Sequence, residues 1–257
     1  MKIVSYNVNG IRAAARKGFY EWMLAQNADV VCIQELKAQV DQLTDPIFSP
    51  PGYHVAFECA EKKGYSGVAI YSKQKPDKIH RGLGWPVMDT EGRYLQADFG
   101  KLSVASIYLP SGSSKDERQV LKMDCLARYY ELLKKMKRRK RSYIISGDWN
   151  IAHKKIDIKN WRGNQKNSGF LPEERAWVDK IFQGAGYIDS FCELEQADDQ
   201  YTWWSNRGQA WANNVGWRLD YQMVTPKLAS TVLAADIYKE ERFSDHAPLT
   251  IDYDYEL

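Results

Sequence analysis

The chain has 257 residues, a net charge of +3, 44% hydrophobic and 27% charged residues, with 17 Gly and 9 Pro. That much apolar side chain excludes a disordered, collagen-like or low-complexity protein, because enough surface exists to offset chain entropy. No stretch approaches the roughly 20 apolar residues of a membrane helix, so no membrane association is expected. Ile3-Val4-Ser5-Tyr6-Asn7 lacks the charged-then-apolar layout of a signal peptide. Cys32, Cys59, Cys125 and Cys192 are too far apart for a zinc knuckle or a dense disulfide frame. Free thiols in a cytoplasmic setting follow.

Short apolar strands that end in polar residues recur along the chain. Ile3–Tyr6 leads to Asn7 and Asn9, and Val30–Ile33 to Gln34-Glu35. Between them, Phe19, Trp22 and Met23 mark a helix over residues 12–27. Val68–Tyr71 is a plain strand, and Leu102–Ile107 leads to Tyr108, Pro110 and Gly112. Ser114-Lys115-Asp116-Glu117 reads as a capping box opening a helix with Leu121, Cys125, Tyr129, Leu132 and Met136 on its apolar face. That helix ends in seven cations between Lys134 and Arg141; without them the net charge would be −4. Cations suit a helix C-terminus, so the run does not by itself indicate nucleic acid.

Tyr143–Ile145 leads to Gly147-Asp148-Trp149-Asn150. A helix opens at Pro172, with Glu173 and Glu174 in its first turn and Trp177, Ile181 and Phe182 buried. Leu219–Val224 and Ala247–Ile251, the latter preceded by Ser244-Asp245-His246, complete the strands. Interleaved helices and many short strands predict an α/β fold of two packed sheets covered by helices, in a single domain spanning 1–257. The polar strand ends would then meet along one edge.

Asn7, Glu35, Tyr108, Asp148, Asn150, Asp220, Asp245 and His246 form an oxygen-rich set with one imidazole and no thiolate. Such a set suits Mg²⁺ better than zinc. No Gly-x-Ser-x-Gly elbow and no phosphate loop ending in Gly-Lys-Ser/Thr is present. Trp203, Trp204, Trp211 and Trp217 fall within fifteen residues among Gly and Asn, which predicts a looped, partly exposed aromatic wall with one or two structural rings.

Together these motifs resemble the exonuclease III-type apurinic/apyrimidinic (AP) endonucleases. Ser5-Tyr6-Asn7-Val8-Asn9-Gly10, Gln34-Glu35, Tyr108-Leu109-Pro110, Gly147-Asp148-Trp149-Asn150 and Ser244-Asp245-His246 stand in that family's order. The segments 161–170, Tyr201–Trp204 and 213–221 are more specific than the superfamily skeleton. The resemblance implies a four-layer α/β sandwich of two mixed sheets flanked by helices. It implies a Mg²⁺-dependent monomer, with Mn²⁺ an expected substitute, that hydrolyses the phosphodiester 5′ to an abasic site in double-stranded DNA and trims damaged 3′ ends.

By position, the resemblance assigns Glu35 to the metal, with Asn7 and Asp245 beside it. Asp148 would activate water, Asn150 would hold it, and His246 would touch the scissile phosphate, oriented by Asp220. Tyr108 would bind the phosphate or the leaving oxygen. Asn164, Lys166 and Asn167 would hold DNA phosphates, and Arg207 could wedge into the duplex. Trp203, Trp217 and Leu219 would line a pocket for the extruded abasic sugar. Ser111 departs from the Asn or Gln common after Tyr-Leu-Pro. The alternatives are a 3′-exonuclease or 3′-phosphatase without efficient AP cleavage, a non-catalytic DNA-binding module, and a small-molecule phosphodiesterase.

Overall fold

In the computed structural model, which describes residues 1–114 and 116–257, chain order begins β1 (Lys2–Asn7), β2 (Val30–Gln34), β3 (His54–Glu58), β4 (Val68–Ser72) and β5 (Lys78–Arg81). Next come β6 (Tyr94–Phe99), β7 (Leu102–Tyr108), β8 (Ser142–Asp148) and β9 (Ile188–Asp189). The rest are β10 (Trp203–Trp204), β11 (Gly216–Trp217), β12 (Asp220–Val224), β13 (Val232–Ile237) and β14 (Leu249–Tyr253). One six-stranded sheet runs β13-β14-β1-β2-β4-β3, the other β5-β6-β7-β8-β12-β9. Both are mixed: β1 and β2 run parallel in the first, β7 and β8 in the second, among antiparallel neighbours.

The sheets pack face to face. Ile3, Val30, Cys32, Leu102, Val104, Ile144 and Val224 fill the space between them. The alternate residues face outward, so Val4, Val31 and Ile33 meet one helical layer and Ile107, Tyr143 and Ile145 the other. Strands buried on both faces read as unbroken apolar runs, which is why β1, β2 and β4 were visible in the sequence. Each fully buried aliphatic side chain contributes about 1.5–3 kcal/mol.

The outer layers hold α1 (Ile11–Ala15) and α2 (Phe19–Gln26) on the first sheet. On the second lie α3 (Pro86–Thr90), α4 (Asp116–Lys137) and, after the single turn α5 (Trp161–Asn164), α6 (Pro172–Lys180). A last turn, α7, spans Pro226–Ala229. The helix expected over 12–27 is split, because Gly18 takes a left-handed φ of 89° between α1 and α2. The expected capping box includes Lys115, which lies outside the described residues. On α4 the buried stripe is Lys122, Cys125, Leu126, Tyr129, Leu133 and Met136, rotated from the predicted one. Glu174, expected in an ordinary first turn, is fully buried against Lys122. Phe182 is only half-buried.

Along both sheets the inward positions turn from apolar to polar toward one end. They run Ile3-Ser5-Asn7 on β1, Val30-Cys32-Gln34 on β2 and Ile144-Ser146-Asp148 on β8. Antiparallel β12 completes the gradient in reverse, with Val224, Gln222 and Asp220 opposite Ile144, Ser146 and Asp148. Gln34 Nε2 donates to Ser106 Oγ across the gap at 3.0 Å, tying the sheets together just behind the polar end.

Candidate active site

The polar end gathers residues from both sheets. Asn7 Nδ2 donates to Glu35 Oε1 at 2.9 Å and to Asp148 Oδ2 at 3.0 Å, bridging a loop of the first sheet to the last residue of β8. Its amide oxygen accepts the Asn9 N–H at 3.0 Å. Glu35 and Asn150 have φ of 55° and 52°, left-handed for non-glycine residues. Such backbone costs about 1–3 kcal/mol per residue and persists where its surroundings over-determine it. Gly147 is required for a different reason: a Cβ there would drive into the carbonyl oxygen of Ile107 on the neighbouring strand.

Burial pushes the Glu35 carboxyl upward, yet the adjacent Lys37 ammonium, 2.7 Å from Oε2, and the Asn7 amide more than offset this. The net shift is downward, so Glu35 is ionised. Burial raises Asp148 to about 7 against the pull of His246, with the nearby Asp220 charge adding to the rise. His246 lies between the two aspartates, with Nδ1 2.8 Å from Asp220 Oδ2 and Nε2 3.7 Å from Asp148 Oδ2. Burial disfavours the imidazolium, but the hydrogen-bonded Asp220 carboxylate outweighs burial and lifts His246 to about 10. The imidazole is therefore a cation at neutral pH.

Ser244 fixes the backbone of His246: its Oγ donates to Asn7 O at 2.7 Å and accepts the His246 backbone N–H at 2.9 Å. Thr202 Oγ1 likewise accepts the N–H groups of Leu219 and Asp220. Burial, followed by the charge of Glu35, holds the Tyr108 phenol well above its ordinary value, so it keeps its proton. The buried Arg93 guanidinium lies 4.3 Å over the Tyr108 ring and donates to the Tyr108 carbonyl. Asn150 Nδ2 donates to Leu109 O at 2.9 Å, which fixes its amide beside Asp148.

A cavity of about 640 Å³ opens over these groups. Glu35, Tyr108, Asp148, Asn150, Asp245 and His246 form its floor, and Trp203, Trp217 and Leu219 form one wall. The rings of Trp203 and Trp217 meet edge to face at 6.0 Å. Trp203 Nε1 donates to Asp245 Oδ2 at 3.2 Å, joining wall to floor. Trp204 is buried and packs on Trp211, so these are the two structural rings of the cluster.

Lys166 and Asn167 line the opposite rim. Asn164 lies behind them, where its Oδ1 accepts from Asn167 Nδ2 at 2.7 Å. Ser111 lines the cavity too, hydrogen-bonded to Ser113. Asn7 and Asp220 lie beneath the floor, and Arg207 is in an exposed loop outside the cavity. The basic run is at the other end of the sandwich: Lys137, Arg139, Lys140 and Arg141 meet Lys101 and Lys227 around a separate hollow. That hollow adjoins Ser142 at the start of β8, about 20 Å from Asp148 at its end.

Donor atoms of Glu35, Asp148 and His246 lie within 4.8 Å of one another. Two of the three donors are carboxylates, and the imidazole is held between Asp220 and Asp148. A carboxylate-rich donor set of this kind fits a hard divalent cation.

The chain is similar in sequence and fold to several known proteins. The endonuclease/exonuclease/phosphatase family signature matches residues 4–246. The chain is 36% identical over 253 residues to an exodeoxyribonuclease of Bacillus subtilis, covering 98% of each chain. It is also 36% identical over 259 residues to the DNA repair nuclease APEX1 of Danio rerio, covering 98% of this chain and 81% of that one. An AP endonuclease structure from Archaeoglobus fulgidus aligns with a TM-score of 0.91 at 28% identity, covering 99% of this chain and 100% of that one. A 3′ phosphatase from Neisseria, bound to a product DNA hairpin, aligns with a TM-score of 0.88 at 27% identity, covering 99% and 100%. With the signature running from β1 to His246 and near-complete overlap in length, the chain belongs to the endonuclease/exonuclease/phosphatase family, in the group that includes exodeoxyribonucleases and AP endonucleases.

Proposed function

We propose that this protein is a DNA repair nuclease that hydrolyses the phosphodiester on the 5′ side of an abasic site in duplex DNA and also trims 3′ ends. The observation that carries this reading is the line Asp220–His246–Asp148 beside Glu35, on the floor of a cavity walled by Trp203, Trp217 and Leu219. A divalent ion, Mg²⁺ or in its place Mn²⁺, held by Glu35 with Asp245 nearby, would neutralise charge on the scissile phosphate.

Asp148 accepts the proton of the attacking water, and its rise to about 7 suits it to that task near neutral pH. Asn150, its amide nitrogen held by Leu109 O, would hold that water through its amide oxygen. His246 donates to a phosphoryl oxygen as an imidazolium kept charged by Asp220, and the Tyr108 phenol donates to the leaving oxygen. Asn7 keeps Glu35 and Asp148 at a fixed separation.

A sugar without a base costs less to turn out of the duplex, because its stacking is already lost. Trp203, Trp217 and Leu219 give it an apolar surface that a nucleotide with its base would overfill. Lys166 and Asn167, steadied by Asn164, would meet backbone phosphates, which are independent of sequence. Arg207, exposed on the neighbouring loop, is assigned no more than an outer contact with the duplex. Residues 1–257 would work as one domain and as a monomer in the cytoplasm. No helix among the described residues is long and apolar enough to cross a membrane.

The likeness to the Neisseria 3′ phosphatase supports a second reading, in which 3′-end processing dominates. A panel of four duplexes separates the two: one with an internal tetrahydrofuran abasic analogue, one intact, one with a recessed 3′ end and one with a 3′ phosphate. Mg²⁺-dependent incision 5′ to the analogue supports abasic cleavage. Activity on the two 3′-end substrates alone would replace it with the second reading, and binding without any turnover would exclude both.

A further inference from the structure

The most deeply buried ion pair among the described residues plays no part in the chemistry above. Lys122 of α4 and Glu174 of α6 have no exposed side-chain surface, and their Nζ and Oε1 atoms are 2.6 Å apart. Burying such a pair sacrifices two hydration shells, a cost that a well-packed apolar pair would avoid. Both partners make further hydrogen bonds. Lys122 Nζ also donates to the carbonyl of Asn150 at 2.9 Å. Glu174 Oε1 accepts from Gln119 Nε2 at 3.0 Å and Ser168 Oγ at 3.4 Å. Its Oε2 accepts the N–H groups of Gly169 at 2.6 Å and Leu171 at 3.1 Å.

Capping α6 accounts for only one of these bonds, the one from Leu171 N, and a solvated carboxylate would serve as well. The remaining bonds join two parts of the active site. On one side is the peptide of Asn150, whose left-handed backbone must be held in place. On the other is the segment carrying Lys166 and Asn167 on the cavity rim. Gly169 O closes the loop by accepting from Ala152 N at 2.8 Å.

We propose that Lys122 and Glu174 are positioning residues that couple the rim segment 164–171 to Asn150, so that seating a DNA phosphate at the rim sets the geometry of the water-holding amide. The proposal rests on the reading that Lys166 and Asn167 contact DNA. Neither member of the pair touches substrate. Each acts through the backbone of its neighbours, and a buried network of this kind transmits displacement because it lacks slack.

A double-mutant cycle in the full-length Mg²⁺-loaded enzyme tests the coupling. Lys166→Ala is crossed with Glu174→Gln, and KM and kcat are measured on a duplex containing the tetrahydrofuran analogue. Lys166→Ala alone should raise KM about fivefold through the lost phosphate contact and lower kcat about fivefold through the misplaced amide. Glu174→Gln leaves an amide nitrogen facing either the N–H groups of Gly169 and Leu171 or the donors of Lys122 and Gln119; it should lower kcat about tenfold and shrink the kcat and KM effects of Lys166→Ala to less than about twofold. The same factor of about five in both backgrounds would overturn the coupling while leaving the DNA contact intact. A merely structural role predicts that outcome too, with kcat reduced only by a smaller folded fraction. No effect of Lys166→Ala on KM would overturn the DNA-contact reading and the coupling with it. If Glu174→Gln does not fold, the cycle is run on the Lys122→Met/Glu174→Met pair, which leaves no buried charge behind.

Discussion

His246 Nδ1 lies 2.8 Å from Asp220 Oδ2, and this contact sets the charge state of the ring that faces Asp148. Burial alone would neutralise the imidazole; the aspartate behind it reverses that and lifts it to about 10. Turnover that needs an imidazolium should therefore persist through neutral pH and fall as pH rises through about 10. Asp220→Asn removes the raising charge, so the alkaline limb of kcat/KM should move down toward the ordinary imidazole value of about 6.5. The same link bears on stability. Because the folded value exceeds the unfolded one, the stabilisation is complete below about 6.5 and is lost as pH rises through the folded value. A pH–rate profile of Asp220→Asn that matches the wild type would exclude this role.

Asp148 is held between Asn7 Nδ2 and the Asn150 N–H and lines the cavity. Asp148→Asn keeps the shape and removes the proton acceptor. Single-turnover incision should drop by about 10²–10⁴-fold with little change in affinity for the abasic duplex. Equal losses in rate and binding would point to a collapsed site instead.

Arg218 sits between the wall residues Trp217 and Leu219 but points away from the cavity, with Nε 2.8 Å from Asp157 Oδ1 and Nη1 2.6 Å from Asp189 Oδ2. All three are almost fully buried. Arg218→Met would leave two carboxylates without a counter-charge, at a cost of about 3–5 kcal/mol. Denaturant titration should show the unfolding free energy falling by that amount, and an unchanged value would mean these ion pairs contribute nothing.

Trp203 joins wall to floor through its indole N–H on Asp245. Trp203→Ala should remove apolar surface against the sugar and loosen Asp245 together. Discrimination between abasic and intact duplexes should fall by about 10–200-fold, the range one lost apolar contact supports. Competition binding with the two duplexes measures it, and unchanged selectivity would remove Trp203 from the pocket.

How much of this was legible in the sequence depended on where each residue is buried. β1, β2, β4, β7 and β8 are covered on both faces and announce themselves as apolar runs. Edge strands β3, β5 and β13 are half-exposed and carry His54, Lys78 and Asp236, so no apolar run marks them. β6 is buried, yet Gln96 and Asp98 interrupt it to bond with Ser103, which hides the strand. Asn7, Asp148 and Asp220 stood out because a polar residue ending an apolar strand is conspicuous. Lys122, Glu174 and Arg93 did not, because a charged residue on a helix or before a strand reads as solvated until its partner is known. The one available sign was Lys122 falling on the buried stripe of α4, between Leu121 and Cys125.

The central claim is that residues far apart in sequence form one metal-assisted centre for breaking a phosphodiester, with Glu35 as its metal-holding carboxylate. Single-turnover incision of a tetrahydrofuran-containing duplex, followed against Mg²⁺ concentration for the wild type and Glu35→Gln, tests it most directly. The wild type should show saturable metal dependence and cut on the 5′ side. Glu35→Gln should need far more metal and lose about 10²–10⁴-fold in rate at any concentration. Wild-type incision by Glu35→Gln at the same Mg²⁺ concentrations would contradict the account.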